Sequence, residues 1–108
     1  MENRFFINRI DTFCEAKDIT KAQMLRDLQL PDNLISAWKK RGTIPAADVL
    51  YRIAKYFGVP MEYLLAGEDD TLPDDIAITI VKLNKLSPEQ RKPIIQMVCA
   101  TVDSITKD

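Results

Sequence analysis

The sequence has no histidine and only two cysteines among its 108 residues. The side chain that most often serves as general base and as metal ligand is therefore missing. No cluster of metal ligands, glycine-rich phosphate loop or nucleophile–base pair takes its place. The sequence therefore argues against an enzyme, and we expect no catalytic site, no metal site, no cofactor and no small-molecule substrate.

The two cysteines, Cys14 and Cys99, are far apart, and each lies in an apolar helical pattern. We interpret both as small buried core residues rather than as a disulfide or a metal site. Long hydrophobic runs are also missing, because no stretch of about 18 apolar residues exists to span a membrane. The amino terminus, Met-Glu-Asn-Arg-Phe-Phe, lacks the layout of a signal peptide. We therefore expect a cytoplasmic protein without a membrane segment.

Glycine is scarce as well, with three residues, and no long alternation of polar and apolar residues suggests strands. A mostly helical, all-α fold is therefore expected. Apolar residues make up 46% and charged residues 29% of the chain, which is ordinary for a globular protein. The length is enough for one domain with its own core.

The net charge of −1 does not indicate nucleic-acid binding, but its distribution is uneven. Residues 1–67 contain ten Lys or Arg and eight Asp or Glu, a balance of +2. Residues 68–108 contain five and eight, a balance of −3, and the two balances sum to −1. The asymmetry permits DNA binding through one face of the first part.

The stretch from residue 20 to residue 42 reads as two short helices joined by a tight turn. Thr20 is placed to cap the first helix, and Gln23 three residues later predicts a capping box. Pro31 interrupts the helical pattern because its nitrogen cannot donate a hydrogen bond. The second helix is expected to start at Asp32 or Asn33, both good capping residues.

The second of these helices has one apolar and one polar face. Ile35 and Trp38 are expected to face the core, while the opposite face carries Asn33, Ser36, Ala37 and Lys40. A run of cations, Lys39-Lys40-Arg41, ends the helix and also suits the negative end of the helix dipole. A short polar helix that is supported by a preceding helix and ends in cations is typical of a DNA-reading helix-turn-helix.

Helical patterns flank this motif on both sides. Residues 4–17 place Phe6, Ile10 and Phe13 on one stripe, which we expect to be core rather than a base-stacking surface. A fourth helix ends at Gly58, the expected C-terminal cap, and a fifth covers residues 61–66 up to Gly67. Five short helices in about 65 residues make a complete small bundle.

Two further motifs carry a family resemblance. Residues 35–45 read Ile-Ser-x-Trp-x-x-Arg-Gly-x-Ile-Pro, and residues 53–67 read Ile-Ala-x-x-Phe-Gly-Val-Pro-x-x-Tyr-Leu-Leu-x-Gly. Together with the helix order, residues 4–67 resemble the lambda-repressor-like, XRE-type transcriptional regulators, closest to the N-terminal domains of phage CI-type repressors. This family usually has a small residue at the position of Leu25 and often glycine at Gln29, where the turn needs a positive φ.

The resemblance implies that the exposed N-terminal face of the second motif helix enters the major groove of DNA. The implied base-contacting residues are Asp32, Asn33, Ser36 and Ala37. Asn33 suits adenine and Ala37 suits a thymine methyl group, whereas Asp32 either accepts from a cytosine amino group or only caps the helix. The candidates for phosphate contacts are Lys21, Lys39, Lys40, Arg41 and Thr43.

The remaining residues differ in composition from the first part. Residues 68–75 form an acidic stretch that we interpret as a linker, and residues 76–108 predict a two-helix hairpin. Ser87, Pro88 and Gln90 mark the start of its second helix. A hairpin cannot bury its apolar faces alone, so it packs either on the first domain or on another chain. We favour another chain and expect a homodimer interface. A chain ending at Gly67 is then expected to keep its own core.

These observations predict a sequence-specific DNA-binding transcriptional regulator, a repressor of phage or mobile-element type that binds a pseudo-palindromic operator as a homodimer. The alternative is an interaction module, such as an antitoxin-like partner of another protein, that keeps the fold without strong DNA binding. Salt-dependent retention on double-stranded DNA separates the two.

Overall fold

The computed structural model of this chain describes residues 3–65 and 72–107, and all regular structure in those ranges is helical. Within these residues the helices are α1 (Arg4–Ala16), α2 (Lys21–Asp27), α3 (Leu34–Arg41), α4 (Ala47–Phe57), α5 (Met61–Leu65), α6 (Asp74–Leu83) and α7 (Pro88–Thr106). The all-α class predicted from the sequence is confirmed. Ala66, Gly67 and the first four residues of the expected linker lie outside the described residues.

The core forms around α1, whose apolar stripe is buried as its spacing predicts. The ring of Phe13 lies 5.3 Å from the ring of Phe57 and 6.0 Å from that of Tyr63, measured between centroids. Cys14 is 3% exposed, and burial raises the pKa of its thiol to about 11. The prediction of a buried cysteine is wrong for Cys99, which is exposed on α7.

Helix α6 packs on α1 and shares the core of the first five helices. Its Ala77 and Val81 are fully buried in that core. The guanidinium of Arg9 on α1 lies 3.8 Å from the centre of the Tyr63 ring and 3.7 Å from the carboxylate of Asp74. The structure thus differs from the expected dimerisation hairpin, because α6 packs on an apolar face of α1 in the same chain and not on a second chain.

The expected boundary also falls differently along the chain. Asp74 and Asp75, placed in the acidic linker from composition, form the first turn of α6, where negative charge suits the positive end of the helix dipole. Lys85, just after α6, forms an ion pair with Asp18 beyond α1. These contacts fix α6 at both ends to the preceding helices.

Helix α7 has no buried residue along its 19 positions. It begins with the predicted cap, in which the Ser87 hydroxyl accepts from the Gln90 N–H and the Gln90 side chain accepts from the Ser87 N–H. Its side-chain anchor is Arg91, whose Nη1 donates to Oδ1 of Asn84 at 2.7 Å. The described chain measures 53 × 28 × 21 Å along its principal axes. An elongated shape of this kind suits a helix that leaves the packed body.

Gly58 and Asn84 connect the end of α4 to the end of α6. Gly58 has φ +78, and a Cβ built there would lie 1.9 Å from Nδ2 of Asn84. That amide donates to the carbonyl of Phe57 at 3.2 Å. The position therefore needs glycine both for its backbone conformation and for the space that the amide occupies.

We expect Gly58→Ala to lower the free energy of unfolding by about 2 kcal/mol, from the left-handed backbone and the displaced amide together. Gly42→Ala is the matched control, because Gly42 has φ +68 but nothing within 4 Å of the added Cβ. It should cost about 1 kcal/mol, the backbone term alone. Urea unfolding of both variants measures the difference, and equal losses would show that the Asn84 contact contributes nothing.

Candidate nucleic-acid interface

The first helix of the motif, α2, begins at the predicted cap. The Thr20 hydroxyl accepts from the Gln23 N–H at 3.0 Å. The second half of the expected capping box is wrong, because the Gln23 side chain points along the helix. Its Nε2 donates to Asp27 at 2.6 Å, and its Oε1 accepts from Arg26 at 2.9 Å. A single hydroxyl cap is thus enough to start this helix.

The turn between α2 and α3 takes the left-handed conformation at Gln29, with φ 57. The family resemblance implied a positive φ at this position. Glutamine adopts the left-handed conformation at a cost of about 1 kcal/mol. The Gln29 N–H donates to the Arg26 carbonyl at 3.0 Å, and the Leu30 N–H to the Leu25 carbonyl at 2.8 Å. Leu25 is 3% exposed and belongs to the core.

Helix α4 holds this turn in place. The Arg52 guanidinium donates to the Leu28 carbonyl at the end of α2. The Tyr56 hydroxyl donates to the Asp27 carboxylate at 2.5 Å, which lowers the pKa of Asp27. Lys17 lies with Nζ 3.5 Å from the centre of the Tyr56 ring. Two side chains of α4, Arg52 and Tyr56, therefore fix the end of α2, from which the turn leads into α3, and Lys17 packs on the second of them.

Helix α3 has Asn33 as its N-cap residue, and the Asn33 side chain makes no capping hydrogen bond. The interpretation of Asp32 as the cap is therefore wrong, since Asp32 lies one residue before the cap position. Asp32, Asn33 and Ser36 are exposed and Ala37 is half-buried. The implied base-contacting residues thus lie at the exposed start of α3. Neither the Asp32 carboxylate nor the Asn33 amide caps this helix.

The opposite face of α3 packs on α1. Ile35 and Trp38 are buried, as the sequence predicts. The ring of Trp38 lies 5.5 Å from that of Phe6, at an interplanar angle of 71°. Edge-to-face contacts of this kind fix orientation as well as burying area. Trp38 is therefore a supporting residue and not a surface for stacking on bases.

Asn3 fastens the end of α3, and the sequence analysis missed it. Its Nδ2 donates to the carbonyls of Trp38 and Thr43, each at 2.8 Å. Gly42 caps the helix in the left-handed conformation, with its N–H donating to the Trp38 carbonyl. A lone asparagine before the first helix gives no sequence signal for such a contact, because the contact joins residues 35 to 40 positions apart.

The cationic end of α3 is accessible. Among the described residues no carboxylate pairs with its cations, and the exposed set there is Lys39, Lys40, Arg41 and Thr43. Asn3, Arg4, Ile7, Asn8 and Lys39 line a shallow depression between the start of α1 and α3. The first cation of α1, which the sequence analysis did not include, therefore adjoins the predicted phosphate-contacting residues.

Lys21 lies in a different environment from the other predicted cations. Its Nζ lies 2.6 Å from the Asp11 carboxylate, and this hydrogen bond holds the pKa of Lys21 above its usual value. The ammonium stays charged, but a phosphate contact would have to replace or share the Asp11 contact. Lys21 thus differs from the exposed cations that end α3 in having a carboxylate partner, although its side chain also lies close to that of Lys39.

These features define an all-helical helix-turn-helix protein with a polar, accessible start of α3 and a cationic end. A family model described as a helix-turn-helix domain matches residues 15–70, more than half of the chain. The chain belongs to this helix-turn-helix family, whose domain suggests a DNA-binding regulator. No curated protein and no solved structure matches the chain.

A search of the described residues for membrane spans found no helix that combines the length and the apolar character needed for crossing.

Proposed function

We propose that this protein is a sequence-specific transcriptional regulator of the lambda-repressor-like, XRE type, a phage or mobile-element repressor acting in the cytoplasm on nucleoid DNA. The observation that carries the proposal is the accessible N-terminal face of α3, held rigidly by Trp38 and followed by exposed cations. Its action is binding rather than catalysis. The protein occupies a pseudo-palindromic operator as a homodimer, joined through its C-terminal helix α7.

Base contacts come from the start of α3. Asn33 pairs its amide with adenine, which presents one donor and one acceptor in the major groove. Ala37 contacts a thymine methyl group, and Ser36 hydrogen-bonds a neighbouring base edge. Asp32 accepts a hydrogen bond from a cytosine amino group. Its carboxylate is exposed and is not needed as a helix cap.

Phosphate contacts come from the rim of this face. Lys39, Lys40 and Arg41 meet the backbone on one side of the groove, and the Thr43 hydroxyl donates beside them. Arg4 extends the same rim, because it lines the depression that also contains Lys39. Lys21 contributes by exchanging part of its Asp11 contact for a phosphate oxygen. Such contacts set register and affinity but carry no sequence preference.

Dimerisation follows from the small size of the reading surface. A single module of this kind buries roughly 600–1,000 Å² of protein surface on DNA. Proteins of this class therefore read two half-sites about 34–36 Å apart, one with each subunit. A two-fold symmetric operator then matches a two-fold symmetric protein.

The deciding experiment is retention on double-stranded DNA as salt is raised, followed by selection of bound sequences from a random pool. The proposal expects retention that falls with salt and selected sequences that contain an inverted repeat. Absence of retention at low salt would favour the alternative, an antitoxin-like module that binds another protein. Retention without any selected sequence would contradict specific regulation.

Asn33→Ala should cost roughly 1–3 kcal/mol per half-site in binding to the selected site and relax preference at one base pair in each half-site. The measurement is binding to the selected site and to variants changed at each base pair. Lys40→Ala is the comparison, because a lost phosphate contact weakens all sequences alike. If Asn33→Ala weakens random DNA as much as the selected site, Asn33 does not read a base.

A further inference from the structure

Helix α7 carries an apolar stripe with the spacing of a coiled-coil seam. Ile95, Val98, Val102 and Ile105 follow at intervals of three, four and three residues, which keep one face of a helix apolar. All four are exposed, from 45% for Ile95 to 77% for Ile105. No charged residue interrupts residues 93–102. We call these four residues the α7 seam.

The seam needs a partner that α6 does not provide. The apolar face of α6 that contains Ala77 and Val81 is buried in the core around α1. The surface that remains open to a partner is therefore on α7 alone and not on both helices of the expected hairpin. Helix α7 is about 28 Å long. Most of the stability of a helix in a protein comes from packing of its apolar face. The partner must therefore cover the α7 seam itself.

We propose that the α7 seam pairs with the same seam of a second copy of this chain, in antiparallel orientation. Val98 then faces the partner's Val102, and Ile95 faces the partner's Ile105. Equal spacing makes the seam self-complementary, as a two-fold interface requires. This inference rests on the proposed function in that it identifies the partner surface of the dimeric regulator.

Arg91 determines the orientation. It lies four residues before Ile95 and thus continues the repeat, so a parallel pair would bring two guanidinium groups together at the start of the seam. In an antiparallel pair centred between Val98 and Val102, Arg91 lies beyond the end of the partner's α7, which stops at Thr106. The two guanidinium groups are then far apart. Arg91 then keeps its hydrogen bond to Asn84.

The antiparallel orientation also suits the operator. It puts the two helix-turn-helix bodies at opposite ends of a rod about 36 Å long, because an overlap centred between Val98 and Val102 leaves the two α7 starts about 24 helical positions apart. That length is comparable to the 34–36 Å that separate half-sites by about one turn of DNA. The seam is shorter than the three to four heptads of a sustained coiled coil. The free dimer is therefore expected to be concentration-dependent and to be favoured when both subunits bind one operator.

The first test compares full-length Val98→Glu with Met97→Glu by sedimentation over a range of concentrations. Met97 is an exposed apolar residue on the same helix, 67% accessible, but it lies off the seam. The wild type and Met97→Glu should dimerise, whereas Val98→Glu should remain monomeric, and circular dichroism should show equal folding of the body. A monomeric wild type, or equal effects of the two variants, would overturn the proposal.

The second test fixes the orientation with cysteines on a Cys99→Ser background. Cys14 is buried and its pKa is raised, so it does not interfere. Antiparallel pairing expects Val98→Cys to form a disulfide with Val102→Cys when the two proteins are mixed and oxidised. A stronger self-cross-link of Val98→Cys alone would indicate parallel pairing and overturn the orientation. A dimer without either cross-link would show that the interface lies outside the α7 seam and would overturn the proposal.

Both tests are done without DNA, so they separate this inference from the proposed function. A dimer that passes them but is not retained on DNA would contradict the regulator and leave the seam established. A retained wild type that stays monomeric in solution and fails to cross-link would contradict the seam and leave DNA binding established.

Discussion

A chain comprising residues 1–67 should fail to fold cooperatively, whereas a chain comprising residues 1–86 should melt much like the full-length protein. The shorter chain lacks α6, whose Ala77 and Val81 are fully buried on α1. It also loses the Asp74 carboxylate that pairs with Arg9 and accepts the Tyr63 hydroxyl. The uncovered apolar area is worth on the order of 5 kcal/mol, comparable to the whole stability of a small domain.

The longer truncated chain is the matched control for this result. It loses only α7, which contributes no buried residue to the core. Circular dichroism during thermal unfolding provides the comparison, with sedimentation to record the oligomeric state of each chain. A cooperative transition in residues 1–67 would show that the first five helices fold alone, as the sequence analysis expects. That outcome would restore the boundary at the acidic stretch.

The double variant Lys40→Ala, Arg41→Ala should bind every DNA sequence more weakly and lower the salt slope by about 2 units per subunit, or about 4 units for a homodimer on its operator. Each phosphate contact on double-stranded DNA contributes about 0.9 to the slope of log affinity against log salt. Both side chains are exposed, and neither pairs with a carboxylate within the part of the chain that the structure describes. Affinity measured over a series of salt concentrations gives the slope directly.

The control for this variant is Lys92→Ala, Lys107→Ala, which removes the same charge from and just after α7. Its slope should stay close to that of the wild type, because long-range attraction is screened beyond about 10 Å at 0.1 M salt. If both double variants change the slope equally, overall charge determines the salt dependence. If neither does, the cations at the end of α3 serve only the helix dipole.

Several parts of the helix-turn-helix were predictable because they depend on local chemistry. The Thr20 hydroxyl cap and the left-handed cap at Gly58 each involve residues a few positions apart. The positive φ at Gln29 was implied only by the family resemblance, because glutamine gives no local sign of it. The burial of Ile35 and Trp38 follows from helical periodicity. Such features recur wherever the same residues are arranged in the same order, so a sequence pattern identifies them.

Other features of the site were not predictable because several side chains compete for the same partners. Gln23 has two neighbours on its own helix that offer hydrogen bonds, and it takes these instead of completing the capping box. Asp18 adopts φ 59 just after the C-cap of α1; aspartate tolerates this conformation better than most residues, but its presence alone does not predict it. Its carboxylate meets Lys85, 67 positions away, which no local pattern indicates.

The sequence by itself determined the all-α class, the helix-turn-helix between residues 20 and 42, and the polar face that would meet DNA. Only the tertiary structure decided which surface the apolar residues of α6 and α7 pack against. Both α6 and α7 have apolar residues at helical spacing, yet Ala77 and Val81 of α6 are buried in the core around α1 whereas the α7 seam is exposed. The physical reason is that periodicity defines an apolar face but not its partner, which depends on the shape and free area of the helices already packed.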